Sequence, residues 1–205
     1  MRHLIIDTAT SACSVALFDD GACLAAFHEE IGRGHAERLV PMIAELPDKG
    51  CAEVIHVDVG PGSFTGIRVG VSAARALSLA WKAECHGYGC LDLIAAMARA
   101  QVGAVAVDVV TTGGHGEFFF QPFAADGSAL AAPLSLTPES AAMQANAAIV
   151  AGDMAERLVA IRGSGEAHCV LPNAQNWHLV KAIVPVAPSP QYVRGPDAKP
   201  MANPA

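Results

Sequence analysis

Two short stretches of this sequence carry residue types that could do chemistry. The first is Gly60-Pro-Gly-Ser-Phe-Thr-Gly-Ile-Arg-Val-Gly70. Gly60 and Gly62 allow backbone angles closed to other residues, and Pro61 stiffens the turn between them. Ser63 or Thr65 is placed to cap a helix that starts near Gly66, and the free N–H groups of a helix start attract anions. An ordinary strand-to-helix turn with no ligand explains the same residues, so both readings stand. The second stretch is Asp7-Thr-Ala-Thr10, an acid followed by small and hydroxylated residues. A carboxylate at the end of an apolar strand needs a partner, which a phosphate-bound magnesium or a capped turn would supply. With Gly152 and Asp153, the residues Asp7, Thr8, Thr10, Gly60, Gly62, Ser63, Thr65 and Gly66 form a candidate vestigial nucleotide or anion site.

Other chemistries lack their residues. There is no Gly-Lys-Ser/Thr and so no P-loop, and no Gly-x-Ser-x-Gly elbow for a nucleophilic serine. The nearest two histidines, His28 and His35, are seven apart, so no HxxxH or HExxH pair exists to hold a metal. His35 reads as a cap or interface residue and His56 as a satisfied core group. Arg68 and Arg75, seven apart on one helix face, suit a phosphate, a partner carboxylate or plain solvent. The six cysteines are scattered with no Cys-x-x-Cys, which suggests reduced thiols, no zinc and a cytoplasmic protein.

Composition narrows the class further. The chain has 205 residues, 52% of them apolar and only 16% charged, with mean hydropathy +0.35. Charge near 25% is usual, so an additional partner covering apolar surface is one expectation. A net charge of −7 argues against this chain alone gripping a nucleic-acid backbone. No segment approaches the roughly 18 continuous apolar residues of a membrane span, and the N-terminus turns acidic too early for a signal peptide.

The elements that must position these residues come in two similar sets. Residues 4–6, 14–18 and 22–28 read as strands, with Asp19-Asp-Gly21 as a hairpin turn. A helix follows over 35–46, where Pro41 should kink it or shift its start, and then a strand over 54–59. The helix after the glycine loop, 66–81, carries Gly66, Gly70, Ala74 and Ser78 at intervals of four. Such a small-residue stripe fits packing within the fold or a close contact with another subunit. A further helix over 91–99 completes the first half. The chain restarts with strands over 104–110, 116–121 and 129–136. Thr137 and Pro138 then start a helix, followed by a strand over 147–151 and a short helix over 154–161. Loop-rich sequence follows, with a proline-punctuated tail. This layout predicts an α/β fold of two lobes, residues 1–100 and a smaller 101–185, with a tail over 186–205. Its repeated pattern is that of the actin, sugar-kinase and Hsp70-ATPase architecture.

Four segments carry a more specific resemblance: Ile5-Ile-Asp-Thr-Ala-Thr10, Cys13-Ser-Val-Ala-Leu17, His35-Ala-Glu-Arg-Leu-Val-Pro-Met-Ile43 and the glycine loop. In that order they closely resemble the TsaB (YeaZ) family, and Tyr192-Val-Arg-Gly-Pro-Asp-Ala-Lys-Pro200 is similar to its C-terminal signature. Where that family usually has an Asp-Ala-Arg segment, this chain reads Asp108-Val-Val-Thr-Thr-Gly-Gly-His115. The resemblance implies a non-catalytic subunit that pairs with a catalytic paralogue, TsaD, and a small ATPase, TsaE. Together these make threonylcarbamoyladenosine in tRNA beside the anticodon. It implies no metal and no cofactor for this chain alone, with ATP or ADP entering only in the assembled complex. The tRNA would be met indirectly through the complex, with no membrane involved.

On this reading the two long helices form the docking face, with a homodimer through it when the partner is absent. Expected interface residues are His35, Leu39, Met42, Ile43, Arg68, Val69, Gly70, Ala73 and Leu77. The competing reading is an ATP-dependent small-molecule kinase of the same fold using Asp7 and Asp108, one acid in the first strand of each lobe. A dinucleotide enzyme is disfavoured because the glycine loop follows an internal strand.

Overall fold

The computed structural model describes residues 1–180 and 186–193. The first sheet contains β1 (Arg2–Asp7), β2 (Ala12–Asp19), β3 (Ala22–Glu30), β4 (Val54–Asp58) and β5 (Glu84–Tyr88), in the order β3-β2-β1-β4-β5. Left-handed Asp20 and Gly21 close the hairpin between β2 and β3, as Asp-Gly favours. β1 pairs antiparallel with β2 and parallel with β4, and its Leu4, Ile5, Ile6 and Asp7 are all fully buried. Three helices flank this sheet: α1 (His35–Glu45), α2 (Phe64–Trp81) and α3 (Cys90–Val102). Pro41 lies inside α1, which keeps its start at His35 and runs four residues past the ring.

The second sheet contains β6 (Val107–Thr112), β7 (Phe118–Phe123), β8 (Leu134–Leu136), β9 (Ile149–Ala151) and β10 (Glu166–His168), in the order β8-β7-β6-β9-β10. That is the first sheet's order repeated, giving the actin-like architecture. Two helices, α4 (Pro138–Gln144) and α5 (Ala155–Arg162), cover its outer face. Thr137 caps α4, its hydroxyl accepting from Ser140 N at 3.2 Å.

Several sequence expectations shift. β6 begins at Val107 rather than 104, because residues 104–106 are exposed and unpaired. β8 keeps only residues 134–136 of the expected 129–136, with one isolated bridge between Phe123 and Ala129. β5 and β10 were not expected, since neither has the β-branched run that marks a strand.

One apolar core runs through both lobes. Leu39, Met42 and Ile43 of α1 pack with Leu4 and Ile6, while Leu91, Ile94 and Ala98 of α3 carry it to Val107, Val109 and Phe123. Full burial of each large side chain contributes about 2 kcal/mol. The stretch expected to be loop instead returns to the first sheet. Ala174 packs with Ile5, Ala16, Phe18 and Tyr88, and Trp177 joins this cluster from a 3₁₀ turn over Ala174–Leu179. Ala174 N donates to Ser14 Oγ at 2.9 Å. Farther on, Val186 bridges Gly87, and Gln191 N donates to Val59 O at 2.8 Å. Residues 170–180 and 186–192 thus strap the first lobe.

Candidate functional site

Parallel β1 and β4 end side by side in two acids, Asp7 and Asp58, both fully buried. Tyr88 Oη donates to Asp7 Oδ2 at 2.9 Å, and burial lifts the Asp7 pKa to about 7. Asp58 Oδ1 accepts from Gly60 N at 2.8 Å and Cys90 N at 3.1 Å, while Oδ2 has no partner among the described residues. Burial first, and the neighbouring Asp7 second, push the Asp58 carboxyl well above the usual range. Asp58 was not singled out in the sequence, although an acid inside an apolar strand was its visible signal.

The glycine loop seals this pair. A Cβ on Gly62, Gly66 or Gly70 would overlap Ala9 O, Thr8 O or Thr8 Oγ1, so these glycines let α2 lie directly on the 7–10 turn. Thr8 Oγ1 donates to Gly66 O at 2.8 Å, and Ser63 N donates to Ala9 O at 2.6 Å. Of the two expected caps it is Ser63 that acts, its Oγ accepting from Gly66 N at 3.2 Å. Thr10 Oγ1 accepts from Ala12 N at 3.2 Å, and Thr65 faces out of the turn. Ser63 N, Gly66 N and the Thr8 hydroxyl are therefore engaged inside the fold, and Gly66 and Gly70 of the small-residue stripe serve internal packing.

In the second lobe Gly152 approaches Val110 O, and Asp153 accepts from Thr112 N at 3.0 Å and Thr112 Oγ1 at 2.6 Å. Asp108 does not mirror Asp7. It stands second in β6 rather than at its end, accepts from Ala147 N at 2.8 Å and lies 3.7 Å from Arg162. Asp7 and Asp108, the two acids of the kinase reading, therefore stand at different positions in their strands.

The expected interface set also divides. His35, Leu39, Met42, Ile43 and Gly70 turn inward; His35 Nε2 lies 3.2 Å from Ala12 O. This corrects their assignment, because a helix with one apolar stripe spends it on its own core. Val69, Ala73 and Leu77 are half-buried and Arg68 is exposed. The outward surface adds residues not foreseen: Val40, Phe64 and Leu79 are 57%, 56% and 84% exposed. Between α1 and α2 lies a groove of about 480 Å³ lined by Ala36, Val40, Phe64, Arg68, Val69 and Ala73, with Leu39 at its floor.

On the other face of the first sheet, His3, His56 and His86 form a row across β1, β4 and β5. His3 Nδ1 and His56 Nε2 are 3.1 Å apart, and Trp177 covers His56 at 4.6 Å between ring centroids. Burial, then the neighbouring His3 and His86, lowers the His56 pKa to about 4, so it is a neutral core group.

Comparison with known proteins follows from this geometry. A family model described as TsaD: tRNA N6-adenosine threonylcarbamoyltransferase matches residues 27–165. The tRNA threonylcarbamoyladenosine biosynthesis protein TsaB of Escherichia coli is 35% identical over 131 residues, covering 62% of this chain and 56% of that protein. The chain therefore spans just over half the length of that relative in the matched region. The uncharacterized protein Rv3421c of Mycobacterium tuberculosis is 31% identical over 97% of this chain and 94% of its own length. The structure of YeaZ from Pseudomonas aeruginosa superimposes with a TM-score of 0.78 at 25% identity, over 93% of this chain and 99% of that one. Sequence and fold agree, and this chain belongs to the TsaB (YeaZ) family.

Proposed function

We propose that this chain is the non-catalytic subunit that pairs with a TsaD-type catalytic paralogue to make threonylcarbamoyladenosine in tRNA beside the anticodon. A TsaE-type ATPase joins the pair. The observation that carries this reading is the outward α1–α2 face, where Val40 and Phe64 stand exposed along a largely apolar groove. Exposed apolar surface gathered on one face marks an interaction site. The name borne by the Escherichia coli relative supports the reaction.

The interior of the first lobe supports the supporting role. Its two acids are enclosed by the glycine turn, and among the described residues no three His, Cys, Asp or Glu side chains are grouped to hold a metal ion. A transferase, as the family model is named, and a peptidase, to which a second solved structure is described as similar, would each need a reacting group open to substrate. The chain alone takes no cofactor; ATP or ADP enters with the assembled complex, and tRNA is reached through it. Without its partner the same face pairs two copies of the chain. No helix among the described residues is long and apolar enough to cross a membrane, in keeping with a cytoplasmic assembly.

Val40→Asp places an unpaired charge in the groove and should weaken association with the catalytic paralogue about 100-fold or more while leaving the fold intact. Met143→Asp, on a still more exposed apolar position of the second lobe, should leave association unchanged. Co-purification and calorimetry with both variants read the difference. Full association by Val40→Asp, or threonylcarbamoyl transfer by the lone chain, would overturn the proposal.

A further inference from the structure

We propose that Arg68 anchors the partner contact by gripping a carboxylate on the partner's facing helix, and that Tyr192 is a positioning residue that holds Arg68 ready for it. The inference rests on the α1–α2 face being the docking surface and adds the chemistry that makes the contact selective. Arg68 stands on α2 at the rim of the groove, with its guanidinium carbon 3.5 Å from the centre of the Phe64 ring. Its Nε donates to Tyr192 Oη at 2.8 Å, and the Tyr192 ring lies 5.4 Å from Phe64, centroid to centroid. Tyr192 comes from the C-terminal strap, 124 residues along the chain, whose Gln191 is bonded to Val59 just before the glycine loop.

The consequence for Arg68 is geometric. One flat side is stacked, Nε is used, and the two terminal nitrogens make no hydrogen bond or ion pair among the described residues. Those two nitrogens form the end-on edge of the fork, the edge that meets a carboxylate with two parallel bonds. A free arginine loses side-chain entropy on docking, whereas this one is already ordered. Its neighbours Val40, Val69 and Ala73 are apolar, so a partner helix seated here would remove water from around the pair. A carboxylate within an otherwise apolar helix face matches this surface. A polyanion matches it less well, because the chain carries a net charge of −7.

The test is calorimetric binding of the purified catalytic paralogue to Arg68→Ala, Arg68→Lys, Tyr192→Phe and the Arg68→Ala/Tyr192→Phe double variant, at two salt concentrations. Arg68→Ala should weaken binding about 30-fold and flatten the salt dependence. Arg68→Lys should recover little, because lysine lacks the planar fork. Tyr192→Phe keeps the ring and removes the hydroxyl; it should cost about 5-fold in the parent and nothing in the Arg68→Ala background. An equal cost in both backgrounds would overturn the positioning role. If Val40→Asp abolishes binding while Arg68→Ala does not, the anchor is refuted and the face stands; if Val40→Asp has no effect, the face itself is refuted. Loss of tRNA binding by the lone Arg68→Ala chain, with paralogue binding intact, would assign the guanidinium to phosphate and overturn the carboxylate.

Discussion

In the first sheet the strands run five to nine residues, and helices of 11, 18 and 13 residues lie beside it. In the second, three of five strands shrink to three residues and the two helices to seven and eight. Strand order is the same, so the difference lies in what each lobe covers. The short helices of the second lobe just close over Val110, Phe118, Phe120 and Val150. The long helices of the first lobe cover their sheet and still turn a second, apolar side outward. The chain ends of the central strands differ too. The first lobe buries Asp7 against Asp58, whereas the second has Thr111, Thr112 and Gly152-Asp153, with Asp153 spent on its own turn. One strand order thus supports an exposed apolar helix face in one lobe and only a minimal cover in the other.

Three measurements would break or sharpen this contrast. The largest effect is expected from Gly66→Ala, because the added methyl meets the Thr8 carbonyl; thermal or urea unfolding should show a loss of about 3 kcal/mol or more. The second-lobe control, Gly163→Ala, has open space and only a left-handed φ of 73° to contend with, and should lose about 1 kcal/mol. Equal losses would mean that the two lobes are packed alike.

Acid should next act on the first lobe alone. His56 has its pKa lowered to about 4 from 6.5, so its neutral form is favoured by the fold. Its contribution is complete above pH 6.5 and is lost as pH falls toward 4, about 2–3 kcal/mol in all. His56→Phe should flatten that window in a pH series of unfolding curves. The position that aligns with it in the second sheet's order is in β9, which holds no titratable side chain, so hydrogen exchange there should follow only global unfolding.

The third effect runs the opposite way with pH. Asp7 binds its proton more tightly in the fold than in the unfolded chain, near pH 7 against 3.8. Stability is therefore full below about pH 4 and drains away as pH climbs to about 7. Asp58→Asn removes one of the two adjoining charges and should stabilise the chain by about 2 kcal/mol at pH 8. Burial raises the Asp108 pKa as well, outweighing Arg162 at 3.7 Å, so Asp108→Asn should shift stability in the same direction. Measuring both variants across pH 4–9 checks the sign of each.

Much of this was legible in the residues. The Asp-Gly hairpin, the Ser63 and Thr137 caps and the repeated strand order all follow from local turn chemistry and apolar periodicity. What was hidden depends on partners far along the chain. β5, reading Glu84-Cys-His-Gly-Tyr88, is a strand because β4 offers it an edge, not because its residues favour one. The inward and outward sides of α1 were confused because Val40 and Leu39 are equally apolar, and only the sheet beneath decides between them. The glycines spaced by four were visible, but whether they meet a ligand, a subunit or the chain's own Thr8 depended on where the 7–10 turn lies.

The strap over residues 170–180 and 186–192 bears on the order of synthesis. Ile5, Ala16 and Phe18 leave the ribosome well before the residues that roof them, Ala174 and Trp177. Throughout translation the nascent first lobe therefore keeps an oily flank uncovered, a state that invites chaperone capture or self-association. Tyr192 arrives later still, so Arg68 acquires its hydroxyl contact only after that roof has emerged. Termination before it would yield a fragment with both long helices but without their clasp.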